Sequence, residues 1–184
     1  MTHLTRRHFM LAGAAVPLAA CGNGIGGAGS SVIDARVAST LSFMYDTYPG
    51  TRDLAAKAAG VLVMPLVTEV GLGLGGSYGR GALQINGSTV DYYSAASGSA
   101  GLQIGAQQYS HVLFFMTQNA LADFRASMGW AAGADLEYAA ADQGEVLRAE
   151  TITSLAPVIA VVFAQSGLRI GATLEGTKYT RIIP

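Results

Sequence analysis

The chain has 184 residues, of which 51% are hydrophobic and 12% charged, with 24 glycines. A soluble domain carries about 25% charged residues, so this is a low-charge, Gly-rich sequence with ample core material for one domain. Removing Arg6 and Arg7 from 11 basic residues leaves 9 against 12 acidic ones, a formal charge of −3; that excludes the clustered cations with which nucleic-acid-binding proteins displace counterions.

Two adjacent arginines, Arg6 and Arg7, precede an apolar stretch from Phe9 to Ala20. This is the charged and apolar pattern of an export signal, too short for the roughly 20 apolar residues of a membrane-spanning helix. The Arg pair followed by apolar residues resembles a twin-arginine signal. Leu18-Ala19-Ala20-Cys21 resembles a lipobox, which implies cleavage before Cys21 and a lipidated thioether there. Cys21 is the single cysteine, so the chain forms no internal disulfide. One acyl chain binds a membrane marginally and two or more hold it stably, at about 0.8 kcal/mol per buried methylene. Gly22 is not the acidic residue that retains such lipoproteins at the inner membrane, so the outer membrane is the expected destination. The organisation expected is therefore a signal over 1–20, a lipidated Cys and Gly/Ser tether over 21–31, and a folded domain over 32–184.

The first element is expected to be a helix from Ser31 to Tyr48. Val32, Ile33, Val37, Leu41, Met44 and Tyr48 recur on one face, Ser31 and Asp34 form a capping box, and Pro49-Gly50 stops it. A second helix over Arg52–Ala59 follows, with Thr51 as N-cap and Gly60 beyond its end. The period then changes to short apolar or alternating runs: strands near 61–64, 70–78 and 81–85, the hairpin turn Asn86-Gly87, then strands near 89–95, 102–109 and 112–116. Thr117 caps a third helix, Gln118–Met128, with Leu121, Phe124 and Met128 on its apolar stripe. Strands near 134–140, 158–164 and 168–175 complete the chain, the last two joined at Ser166-Gly167. The class is α+β: a curved antiparallel sheet or partial β-barrel with N-terminal helices and one inserted helix packed against it.

Two known motifs occur in the Gly-rich run. Gly71, Gly73 and Gly76 satisfy G-x-G-x-x-G, but no helix follows to receive a pyrophosphate. Gly75-Gly76-Ser77-Tyr78-Gly79 fits G-x-S-x-G, with Asp91 and His111 later in hydrolase order; the nucleophile elbow needs a strand-to-helix turn that the sequence does not provide. The alternative is that alternating glycines bare one strand face for close approach of another backbone or ring. His111 is the one histidine after the signal and is read as a structural or surface residue, since no His or Cys partner could complete a transition-metal site with it. Asp135 and Glu137 share a strand face and read as solvated charges, with paired acid-base work as the alternative; Trp130 reads as a core residue, with an interfacial aromatic as the alternative.

Several segments in order resemble one family, the SYLF lipid-binding domain: Ala58-Ala59-Gly60-Val61-Leu62-Val63-Met64-Pro65, the Gly-rich run to Gly81, Tyr93 to Gln107, Phe124-Arg125 through Gly129-Trp130, and Leu174 to Ile182. The resemblance implies lipid binding without turnover; its eukaryotic members are associated with phosphoinositide membranes and, for some, actin. Those members bind membranes through a basic N-terminal segment, whereas here Arg36 faces Asp34 and Asp46, so phosphoinositide selectivity is not carried over. The lipid-facing candidates are Arg36, Val37, Leu41 and Met44 on the first helix, whose apolar stripe reads alternatively as a face packed on the core, and Arg52 and Lys57 on the second, with phospholipid as partner, no enzyme activity and no cofactor. The other readings are a structural or partner-binding lipoprotein with no lipid contact beyond its anchor, and a serine hydrolase using Ser77.

Overall fold

The computed structural model describes residues 27–133, 136–138, 156–164, 167–168, 174 and 176–184. The signal, Cys21, Asp135, Ser166 and most of the strands expected over 134–140 and 168–175 lie outside the described residues. Helix α1 spans Ala28–Thr47 and α2 spans Gly50–Lys57. α1 starts three residues before the expected cap. Gly27 is its N-cap without a side-chain bond, and the Ser30 and Ser31 hydroxyls donate back to the Gly27 and Ala28 carbonyls. The capping box fails because Ser31 is inside the helix, its N–H bonded to the Gly27 carbonyl at 3.0 Å, and Asp34 is engaged elsewhere: it accepts from Thr89 Oγ1 at 3.0 Å and from the Tyr92 hydroxyl at 2.7 Å. Thr51 likewise sits inside α2, its hydroxyl donating to the Tyr48 carbonyl at 2.7 Å. α2 ends at Lys57 instead of Ala59, because the Ala59 N–H is captured by the Phe115 carbonyl at 2.8 Å and Gly60 already starts the sheet.

The six strands expected between 61 and 116 are two long ones, β1 (Gly60–Ile85) and β2 (Ser88–Phe115), paired antiparallel along nearly their whole length. Asn86 and Gly87 join them with φ of 51° and 75°, the positive pair of a two-residue hairpin turn. Signals that read as strand breaks act instead as bends. The register shifts between Met64 and Val67, around Pro65, and again between Leu72 and Gly73; proline is tolerated at such a bulge, where no N–H is needed. The hairpin thereby folds onto itself. A Cβ at Gly79 would stand 2.7 Å from Val67 Cγ2 and 2.8 Å from the Leu66 carbonyl oxygen, and one at Gly81 would strike the Val63 carbonyl. Only glycine lets the two halves of β1 approach this closely.

Beyond α3 (Gln118–Ala126), β3 (Trp130–Ala131), β4 (Leu136–Tyr138), β5 (Val158–Ala164), β6 (Gly167–Leu168) and β7 (Lys178–Ile182) complete a seven-stranded sheet. Its order is β3-β7-β2-β5-β4, with β1 also on β2 and β6 on β5; every pairing is antiparallel except β4 with β5. The expected architecture is present: an α+β fold in which, among the described residues, a curled half-barrel sheet carries three helices. Period-two alternation divides the apolar strands between two cores. Leu62, Met64, Leu113, Phe115, Val158 and Val162 pack with α3 inside the curl, while Val63, Val112, Phe114, Ile159, Val161 and Phe163 pack beneath α1 and α2. Burial on both faces explains why these runs are continuously apolar.

Thr117 caps α3 as expected, accepting from the Ala120 N–H at 3.1 Å. The helix stops at Ala126, however, so Met128 is 97% exposed and is not on an apolar stripe. Trp130 packs edge-on against Phe115 and Phe124 and tilted against Tyr179. Among the described residues no helix is long and apolar enough to cross a membrane.

Candidate functional site

The bulge at Pro65 turns Leu66 outward beneath the start of α1. There a cleft of about 180 Å³ forms between helix and sheet, lined by Val32, Arg36, Leu66, Thr68, Tyr78 and Arg80 among others. The fold of β1 upon itself brings its residues 66–68 and 78–80 to the same place. The apolar part of this surface is open to solvent: Val32 is 52% exposed, Leu66 37% and Tyr78 55%. Its polar part is cationic. Arg36 and Arg80 are exposed, and among the described residues neither has an ion-pair partner. The nearby Asp34 is held to the sheet by Thr89 and Tyr92. An apolar rim with two uncompensated guanidinium groups is chemically suited to a surface with apolar and anionic parts.

Of the candidates named from the sequence, Arg36 stands in this cleft. Val37 and Met44 do not reach solvent; both are 0% exposed and belong to the core beneath α1, so the apolar stripe that nominated them is the helix's packing face. Leu41 is partly buried against the same core. Arg52 and Lys57 are exposed on α2. Arg52 pairs with Asp46 at 2.9 Å and lies 5.0 Å from the centre of the Tyr45 ring. Asp46 is ten positions beyond Arg36 on α1, roughly 15 Å along the axis, so Arg36 and Arg52 do not form one cationic cluster. Cys21 lies outside the described residues.

Arg80, Leu66 and Tyr78 were not nominated. Arg80 is the single charge between Val70 and Leu83, and that isolation was the available signal; its meeting with Arg36 depends on the corner at Pro65, which no local pattern announces.

The hydrolase constellation is not assembled. Ser77 lies within continuous β1, not on a strand-to-helix elbow, and its hydroxyl shares a 2.7 Å hydrogen bond with Ser97. His111 is fully buried, with Nε2 2.8 Å from the Tyr179 hydroxyl. Asp91 receives Arg125 at 3.1 Å and Arg181 at 3.4 Å, tying β2 to α3 and β7. Burial lowers the His111 pKa to about 3, and its Nδ1 has no hydrogen-bond partner. It is a neutral core residue, and a poor general base at neutral pH. Among the described residues no group of His, Cys, Asp or Glu could hold a metal.

The Ysc84 family model, described as Las17-binding protein actin regulator, matches residues 96–181, from the middle of β2 into β7. No curated protein matches the chain. That segment, 86 of the 184 residues, agrees with the SYLF family resemblance carried by the sequence motifs.

Proposed function

We propose that this protein is an exported lipoprotein, anchored through Cys21 to the outer membrane of the envelope, whose domain is a non-catalytic module for a phospholipid surface. The observation that carries the reading is the exposed apolar rim at Val32, Leu66 and Tyr78 with the unpaired Arg36 and Arg80 beside it. Monomeric soluble proteins seldom leave such a patch bare, and contact with a membrane or partner is the usual reason. Arginine suits the phosphate of a headgroup, each cation near an anionic bilayer contributing about 1 kcal/mol. The family is one of binding domains, which supports a role without turnover.

Flotation of the mature chain, residues 21–184 with Cys21→Ser, on phosphatidylethanolamine and phosphatidylglycerol vesicles tests the reading. Co-migration with lipid is expected. A chain that stays at the bottom of the gradient would leave the second reading, a partner-binding lipoprotein, which is favoured by the protein partner in the family's description.

A further inference from the structure

The middle of the β1–β2 hairpin differs from its two ends. β7 pairs with β2 at Tyr92–Ala96 and β5 pairs with it at Ser110–Phe115. Between these, among the described residues, β1 and β2 pair only with each other, from about Val70 opposite Ala106 to Ser77 opposite Ser97. This two-stranded corner contains no Asp, Glu, Lys, Arg or His from Val70 to Gly79 or from Ala95 to Ala106. Leu74 at its crest is 79% exposed and Val70 54%. Between the register shifts at Leu72/Gly73 and Leu83/Gln84, strand alternation puts Leu74, Tyr78 and Arg80 on one face, and since Tyr78 and Arg80 line the cleft, the corner continues its surface.

We propose that this charge-free corner is the part of the domain that enters the bilayer holding its own anchor, with Leu74 deepest and Arg36 and Arg80 at headgroup level. The inference rests on the lipoprotein reading, because the anchor decides the occupant. From Cys21 to Gly27 the chain can span at most about 20 Å even if fully extended. Gly27 caps α1, and Val32, about 7 Å further along the helix axis, already lines the cleft with Tyr78 and Arg80. An acylated Cys21 therefore holds this side of the molecule beside the lipid. An uncharged ribbon with exposed leucine and valine enters the interface without desolvating an ion, and cations at its margin meet phosphate.

Cys21 is the sole cysteine and its sulfur is consumed by the acyl linkage, so Leu74→Cys in the acylated chain supplies one free thiol for an environment-sensitive fluorophore; Met128→Cys, on the surface beyond α3, supplies the control. In vesicles containing doxyl-labelled phospholipid, a blue shift and quenching at position 74 with neither at position 128 is the expected result. Equal responses at the two positions would overturn the inference. So would a shift at 74 that appears without lipid and grows with protein concentration, which would identify a second copy as the occupant. Flotation of the unacylated mature chain separates the two levels: lipid binding there without quenching at 74 would defeat the corner and leave the lipid-binding reading standing, whereas quenching at 74 without such binding would do the reverse.

Discussion

Asp34 on α1 accepts a 2.7 Å hydrogen bond from the hydroxyl of Tyr92 on β2, and this contact fixes the end of the helix that carries Val32 and Arg36 against the sheet. Thr89 adds a second bond at 3.0 Å. Because the acceptor is a carboxylate and the Tyr92 ring is buried, Asp34→Ala is expected to cost about 1 to 2 kcal/mol. Urea denaturation of Asp34→Ala, Tyr92→Phe and the double variant measures it: the double variant should cost clearly less than the two single ones together.

The self-folded hairpin makes its own demand. Gly79→Ala places a methyl group against the Leu66 carbonyl and Val67, where backbone cannot step aside, with an expected loss of about 1 to 3 kcal/mol. Gly98→Ala, with no atom within 4 Å of the new carbon, should leave the melting temperature nearly unchanged. Equal effects at the two positions would mean that the halves of β1 do not touch.

How far these features were legible depended on their range. Local signals carried well: Asn86-Gly87 gave the hairpin, Thr117 the third cap, and the apolar runs at 61–64, 112–116 and 158–164 the core strands. They failed where a distant partner won. Ser31 and Asp34 read as a capping box, but α1 takes in Ser31 and Tyr92 claims the carboxylate; Ala59 read as helix until Phe115 claimed its N–H. Val37 and Met44 show the limit for function, since an apolar helical stripe looks the same whether it meets lipid or a sheet. β7 was missed although Tyr179 and the flanking Lys178 and Thr180 alternate in burial, because five residues give little periodic signal.

His111 links stability to acid. Its native pKa of about 3 lies below the ordinary 6.5, so between these values the unfolded chain binds a proton that the native chain refuses. Stability from this group therefore falls as pH drops below about 6.5, by about 1.4 kcal/mol per pH unit, and levels off near the native value. Urea midpoints from pH 7 to pH 4 should show a shallower decline for His111→Phe than for the parent; parallel declines would show that the imidazole is not buried neutral.

Salt separates the two kinds of lipid contact. Charges at the surface are screened over about 8 Å at physiological ionic strength, and apolar burial is not. The unacylated mature chain should lose only a modest part of its vesicle affinity between low and physiological salt. A loss of several orders of magnitude would assign the binding to the arginines alone.

The most direct measurement compares vesicle affinity for Leu74→Asp, Arg36→Ala and Arg80→Ala in the mature chain with Cys21→Ser. All three positions are exposed, so folding should survive each change. Burying a leucine in an apolar environment stabilises by roughly 1.5 to 3 kcal/mol, while one cation near anionic lipid gives about 1 kcal/mol. Binding through the apolar corner predicts that Leu74→Asp weakens affinity about tenfold or more and that each arginine variant weakens it about fivefold; affinity unchanged by Leu74→Asp, or no vesicle binding by the parent chain, would contradict it.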